Sequence, residues 1–250
     1  MRRVRAALRL ARAVLQGLRG LAIVLFCFPR LDARQRHEHI RAWSLRMLQS
    51  LGIELVARGT PAPGGSLLAA NHVSWLDIMA IHAVLPGARF VSKADVKGWP
   101  LVSRLVDAAG TLYLERERKR DAMRVVHAVA EALRGGQTVA IFPEGTTSTG
   151  HSLLPFHANL LQAAISTCTP AQPLALRFSD ATHAVSLAAE FVGNTTLLQS
   201  LWRTACGERM VVQLTFLAPR PSAGVDRRAL AELLRRDIAA ALENSQPARP

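Results

Sequence analysis

Leu67-Leu-Ala-Ala-Asn-His-Val-Ser-Trp-Leu-Asp77 passes from an apolar run through a polar break into a helical pattern. Four apolar residues bounded by polar ones fit a buried strand, and the pattern from residue 77 to 85 has helical spacing. The same alternation recurs on both sides. Residues 53–57, 66–70, 89–91, 111–114, 137–142, 173–178, 185–189 and 210–217 have strand character. Residues 77–85, 119–134, 156–166 and 226–243 have helical character. Such alternation predicts an α/β domain with a mixed sheet core flanked by helices.

A strand end is a good platform for chemistry, and His72 and Asp77 sit at this one. On a continuous helix, residues five apart point about 140° away from each other. The pair therefore meets only across a turn or at a helix start, where Ser74 or Asp77 would serve as the cap. In that arrangement Asp77 holds one imidazole nitrogen, and the other is free to take a proton from a hydroxyl. By itself the pair fits a surface cap beside a chance histidine equally well.

Thr138-Val-Ala-Ile-Phe-Pro-Glu-Gly-Thr-Thr-Ser148 repeats the strand-end pattern. Pro143 stops the strand, Gly145 permits a tight turn, and Glu144 lies at the mouth of the sheet. The Gly, Thr and Ser of this loop offer N–H and O–H donors to an anion or a polar headgroup. Gly145 to Ser152 also approaches a phosphate-binding loop, but His151 stands where the lysine should be and Glu144 would repel phosphate. Nucleotide hydrolysis is excluded on that mismatch. A third strand end, Gly110-Thr-Leu-Tyr-Leu-Glu-Arg116, places Arg116 as a candidate ligand contact.

Outside this core the charge is uneven. The chain has 250 residues and a net charge of +13, and residues 1–50 hold eleven arginines against two acids, Asp32 and Glu38. Arg5, Arg9, Arg12, Gln16 and Arg19 form one helical stripe, with Leu8, Leu10, Val14, Leu15 and Leu18 away from it, a basic amphipathic helix suited to an anionic membrane surface. The uncharged run Gly20–Phe28 is nine residues long, and a spanning helix needs roughly 20. An interfacial helix is therefore expected in preference to a full span or a signal peptide. A second basic helix is predicted over 34–50, ended by Gly52. Residues 1–50 are thus assigned to membrane anchoring and 51–250 to a catalytic domain. No aromatic residue interleaves with the arginine stripe, which argues against nucleic acid.

Cys27, Cys168 and Cys206 are odd in number and widely spaced, so neither a disulfide framework nor a thiol metal site is expected, and buried, inert thiols are the simplest reading. His37, His39, His82, His127, His151, His157 and His183 show no ligand spacing and are expected to be solvated or satisfied structural residues. The four tryptophans are expected in packing or interface positions.

Taken together, the three strand-end segments resemble the glycerophospholipid acyltransferase superfamily, and bacterial PlsC-type proteins in particular. His72 to Asp77 matches its H-x-x-x-x-D motif, Gly110 to Arg116 is similar to its second block, and Phe142-Pro-Glu-Gly-Thr146 matches its third. Pro173-Leu-Ala-Leu176 is similar to its fourth, and Lys93 and Pro100 stand where the family often has them. The resemblance spans about residues 35 to 220. It implies that His72 is the general base on a lysolipid hydroxyl and that Asp77 orients it. Glu144, Gly145, Thr146, Thr147 and Arg116 would bind the acceptor, with Asn71, Ser74, Gly110 and Lys93 in support. It also implies acyl-CoA or acyl-carrier protein as co-substrate, no metal or other cofactor, and a place on the cytoplasmic face of the inner membrane. Family members acting on glycerol 3-phosphate commonly carry Arg where this chain has Thr147. With Leu154-Pro-Phe156 downstream, the segment looks more like the branch that acylates lyso-ornithine lipid. Arg116 could still serve a phosphate, so the resemblance leaves the acceptor open between lysophosphatidic acid, as in 1-acylglycerol-3-phosphate acyltransferases, and another lysolipid. A hydrolase using the same His with water, and a non-catalytic peripheral membrane protein, are the competing readings.

Overall fold

The computed structural model describes residues 2–93, 100–114 and 119–244. In chain order these form α1 (Arg2–Ala22), α2 (Ala33–Ser50), β1 (Ile53–Arg58), β2 (Leu67–Ala70), α3 (Leu76–Val84), β3 (Arg89–Lys93), α4 (Pro100–Ala108), β4 (Leu112–Leu114), α5 (Lys119–Arg134), β5 (Val139–Ile141), α6 (Leu161–Thr167), β6 (Ala171–Ser179), α7 (Leu197–Cys206), β7 (Met210–Phe216) and α8 (Arg227–Asn244). The strands make one seven-stranded sheet in the order β1-β7-β6-β2-β5-β3-β4. Every neighbouring pair is parallel except β6 with β7.

The period-two alternation of side chains explains why this sheet needs cover on both faces. Leu68 and Ala70 of β2 point into one core with Leu48, Leu76, Ile81 and Phe90. Leu67 and Ala69 point into the other, with Val129, Leu133, Leu161 and Leu234. Helices α2 and α3 cover the first face, and α5, α6 and α8 the second. The expected mixed α/β sheet is therefore present as three layers.

Where sequence and structure part, the causes are local. Residues 185–189 are not a strand. β6 already pairs with β2 on one side and β7 on the other, so no open edge exists beside it, and the segment forms turns instead. Helix α6 begins at Leu161 rather than 156, because the preceding chain is held extended by His157 N–H donating to Pro143 C=O at 2.8 Å. Two helices, α4 and α7, were not anticipated.

The N-terminal helix turns part of its arginine stripe toward the protein, Arg12 and Arg19 remaining exposed. Its inward stripe is Ala6, Arg9, Ala13, Gln16 and Gly20. Arg9 donates to the carbonyls of Ala205 and Gly207 at 3.1 and 2.6 Å, where the end of α7 concentrates negative potential. Arg5 pairs with Glu208. Trp43 donates to Gln16 C=O at 2.7 Å and lies so close over Gly20 that any Cβ there would collide with its ring. These arginines are thus engaged with the protein, and Val4, Leu8, Val14, Leu15 and Leu18 face outward and exposed. Helical structure also continues past residue 22 through a π turn and a 3-10 turn. Arg3–Arg30 is 28 residues, long and apolar enough to cross a membrane by length and composition. Cys27, Cys168 and Cys206 are free thiols, and Cys27 and Cys168 are exposed rather than buried.

Candidate active site

Strands β2 and β5 are adjacent and parallel, with Ala69 opposite Ile141. Their carboxyl ends therefore deliver Asn71-His72 and Phe142-Pro143-Glu144 to one edge, the usual location of sites in open α/β sheets. Asn71 is fully buried and prolongs the β2–β6 ladder with its side chain. Its amide nitrogen donates to Leu176 C=O and its oxygen accepts from Leu176 N–H, both at 2.8 Å. The main chain is released from the sheet at that point, and the next residue, His72, turns out.

Helix α3 begins at Leu76, with a tight turn before it: Asp77 N–H donates to Ser74 C=O at 3.1 Å. The turn folds Asp77 back onto the residues that precede it. Its Oδ2 accepts from the N–H groups of Val73 and Ser74 at 2.8 and 3.0 Å and lies 2.7 Å from His72 Nδ1. The carboxylate is fully buried and the imidazole side chain 18% exposed. Neither Ser74 nor Asp77 is the helix N-cap, which is Trp75 without a side-chain bond. Ser74 contributes its N–H, and its Oγ is buried without a partner among the described residues, as is Asp77 Oδ1. With Nδ1 facing a carboxylate, the proton sits on Nδ1, and Nε2 presents a lone pair at the exposed edge.

The β5 turn grips the same residue from the other side. Glu144 Oε1 accepts from His72 N–H at 2.7 Å, and Oε2 accepts from Leu154 N–H at 2.9 Å. His72 C=O in turn accepts from Ser148 N–H at 2.7 Å. Phe142 stacks on the imidazole with centroids 3.9 Å apart and planes 11° from parallel. Burial holds the Glu144 carboxyl above its usual range, and the two N–H donors pull the other way. Glu144 was expected to bind an acceptor; in the structure it is buried, and its two oxygens accept from the main-chain N–H groups of His72 and Leu154. Gly145 adopts the left-handed φ of +69° that the turn requires.

The remaining candidates divide. Thr146 is exposed at the turn. The Thr147 hydroxyl donates to Phe191 C=O. Lys93 ends β3 at the same sheet edge as His72. Gly110 instead lies at the opposite edge, where its carbonyl accepts from Arg89 at the start of β3, at 2.7 Å, so it does not support the site. Arg116 lies outside the described residues. Sequence reasoning missed Phe142 as the ring beneath the base, Ser148 as a donor to it, and His157, whose imidazole covers Gly145. An aromatic directly after a strand that abuts the histidine's strand was the available signal. Among the described residues no three His, Cys, Asp or Glu side chains converge as a metal site.

His82 differs from the solvated or satisfied residue expected. It is buried, and neither ring nitrogen makes a hydrogen bond of ordinary geometry among the described residues. Its ring packs edge-on to Phe90, which stacks on Phe142. Burial, with His37 nearby, pushes its pKa down to about 4, weakly opposed by the Pro86 carbonyl.

A buried carboxylate facing a histidine at a sheet edge is an arrangement suited to acid–base chemistry, and comparison gives the class of the protein. The acyltransferase family model matches residues 52–177. The chain belongs to that family and is an enzyme of that kind. It is 36% identical to the lyso-ornithine lipid O-acyltransferase of Pseudomonas aeruginosa, over 97% of this chain and 95% of that protein. It is also 36% identical to the 1-acyl-sn-glycerol-3-phosphate acyltransferase of Neisseria gonorrhoeae, over 76% of this chain and 74% of that one. In fold it is similar to the crystal structure of PlsC, the 1-acyl-sn-glycerophosphate acyltransferase of Thermotoga maritima. The TM-score is 0.74 at 20% identity, covering 97% of each chain.

Proposed function

We propose that this lysolipid acyltransferase transfers a fatty acyl group from acyl-CoA or acyl-carrier protein to the hydroxyl of lyso-ornithine lipid, with His72 as general base. The observation that carries the mechanism is the Asp77 Oδ2–His72 Nδ1 contact at 2.7 Å, which leaves Nε2 of the partly exposed ring as the nitrogen not engaged by Asp77. Nε2 takes the hydroxyl proton as the acceptor oxygen attacks the thioester carbonyl carbon. The tetrahedral intermediate collapses, the C–S bond breaks, and the thiolate recovers the proton from the imidazolium. Asp77 stabilises that imidazolium throughout. Among the described residues no Cys or Ser side chain is hydrogen-bonded to the His72 ring, the Ser148 hydroxyl donating instead to the His72 carbonyl at 3.1 Å, which supports direct transfer without an acyl-enzyme.

Two observations support the acceptor. The near full-length similarity is to a lyso-ornithine lipid enzyme, and Thr147 stands where a phosphate-binding arginine is commonly found. A lysophosphatidic acid acceptor is the second reading, favoured by the Neisseria relative. The exposed apolar face of α1 and the length of Arg3–Arg30 support attachment to the inner membrane, with the site on its cytoplasmic face.

The test uses full-length protein in detergent micelles with a panel of lysolipids and each thioester donor. Wild type is expected to acylate lyso-ornithine lipid faster than lysophosphatidic acid, and His72→Ala to abolish both activities. Faster use of lysophosphatidic acid would overturn the acceptor assignment. Retained activity in His72→Ala would overturn the mechanism.

A further inference from the structure

Between β6 and α7 the chain crosses the mouth of the site as an irregular segment, Val185 to Thr196, and it is fixed to both catalytic turns. Phe191 N–H donates to Val73 C=O at 3.2 Å, one residue from His72. Phe191 C=O accepts from the Thr147 hydroxyl. Any Cβ on Gly150 would fall 3.2 Å from Val73 and 3.4 Å from Val185, so the segment, the histidine turn and the Gly145–Gly150 loop are packed without slack. The far end is anchored as well. Thr204 donates to Ala188 C=O at 3.1 Å, and Trp75 donates to Ser200 at 3.1 Å. Glu190 directly precedes Phe191. It is half-buried and has no hydrogen bond or ion pair among the described residues.

We propose that this segment is the acceptor-selecting wall of the site, closed by the Thr147–Phe191 bond, with Glu190 as the carboxylate that recognises a cationic ammonium headgroup. The inference rests on the lyso-ornithine reading and deepens it. An arginine at 147 would bring a cation for phosphate and could not make the short hydroxyl bond that holds Phe191. Threonine does the reverse: it draws the segment onto the turn and leaves an unpaired anion beside it. A phosphate monoester is repelled by that carboxylate, and a primary ammonium is attracted to it. Glu190 and Thr147 are positioning and selecting residues and take no part in proton transfer.

Steady-state rates with lyso-ornithine lipid and lysophosphatidic acid test this in the full-length enzyme. Glu190→Gln is expected to raise KM for lyso-ornithine lipid about tenfold, the scale of one charge-assisted hydrogen bond, and to lower KM for lysophosphatidic acid. The change falls on KM rather than kcat. Thr147→Val is expected to cut the preference for lyso-ornithine lipid, as the ratio of the two kcat/KM values, at least fivefold, and Thr147→Ser to restore it. A KM shift of the same sign and size for both acceptors, or no shift, overturns the role of Glu190. An unchanged ratio in Thr147→Val, or a Ser variant that behaves like Val, overturns the strap. A wild-type enzyme that prefers lysophosphatidic acid refutes the acceptor assignment separately. The opposite KM shifts and the Val–Ser comparison still decide whether the segment selects.

Discussion

Replacing Asp77 with Asn isolates what the carboxylate contributes. Three donors converge on Oδ2, namely His72 Nδ1 and the N–H groups of Val73 and Ser74. The two main-chain donors dictate how an asparagine will sit. Its carbonyl oxygen must occupy the Oδ2 position, because the amide nitrogen there would face two N–H groups. His72 then keeps its orientation and its Nδ1 proton but loses the negative charge opposite the imidazolium. A hydrogen bond to a charged partner contributes about 1.5–3 kcal/mol, so kcat is expected to fall about 10- to 150-fold. The amide nitrogen meanwhile takes the place of Oδ1, which has no partner. A buried, unsatisfied NH2 costs about 1–3 kcal/mol, and melting should fall by about 2–4 °C for each of those. Product lipid, rather than released thiol, should be quantified, since exposed Cys27 and Cys168 would react with thiol reagents. A loss below threefold would refute charge stabilisation by Asp77. A loss near 10⁴-fold, the scale expected when a base is held in the wrong tautomer, would refute the orientation argument.

Two further outcomes follow from the same geometry. His82, with its pKa pushed down to about 4, resists protonation in the folded state while the unfolded chain accepts a proton near pH 6.5. Stability is therefore full above about 6.5 and is lost as pH falls toward 4, by roughly 2–3 kcal/mol at pH 4.5. His82→Leu should lose that much less between pH 7 and pH 4.5 in denaturant titrations, and an equal loss in both proteins would refute it. Gly145→Ala forces a Cβ to within 3.0 Å of the His157 ring at a left-handed φ. It should cost about 1–2 kcal/mol and lower kcat by shifting Glu144 away from His72 N–H, and unchanged kcat would break that link.

The sheet was legible because strand alternation is a local property. Leu67 to Ala70 send their side chains alternately into two cores, which marks a strand buried on both faces. The failures came where tertiary pairing decides. Val185–Ala189 has strand composition, but the strand it follows, β6, is already paired on both sides. Two helices were missed although their signals were present: Pro100 opens α4 at the position proline favours, and Thr196 with Gln199 forms a capping box at the start of α7. At the site, His72 and Asp77 were found by type and spacing, and the turn between them supplies the geometry a helix would deny. Glu144 was placed at the sheet mouth, and its bonds to the His72 and Leu154 N–H groups were not foreseen. A carboxylate facing a ligand and one facing main-chain N–H groups have the same sequence signature. The arginine stripe of α1 was visible, and the inward use of Arg9 was not, because its acceptors lie some 200 residues away.

The two-sided grip on His72 has a thermodynamic consequence. Its N–H is held by the β5 turn, its carbonyl by Ser148, its ring face by Phe142 and its Nδ1 by Asp77. The base therefore has almost no reorganisation left to perform when charge develops on it. Folding has already oriented the surrounding dipoles, so the barrier of each turnover contains little of that work. The adaptable parts of the cycle are the lipid and the segment at the mouth, and substitutions there should alter which acceptor is used long before they alter how fast the proton moves.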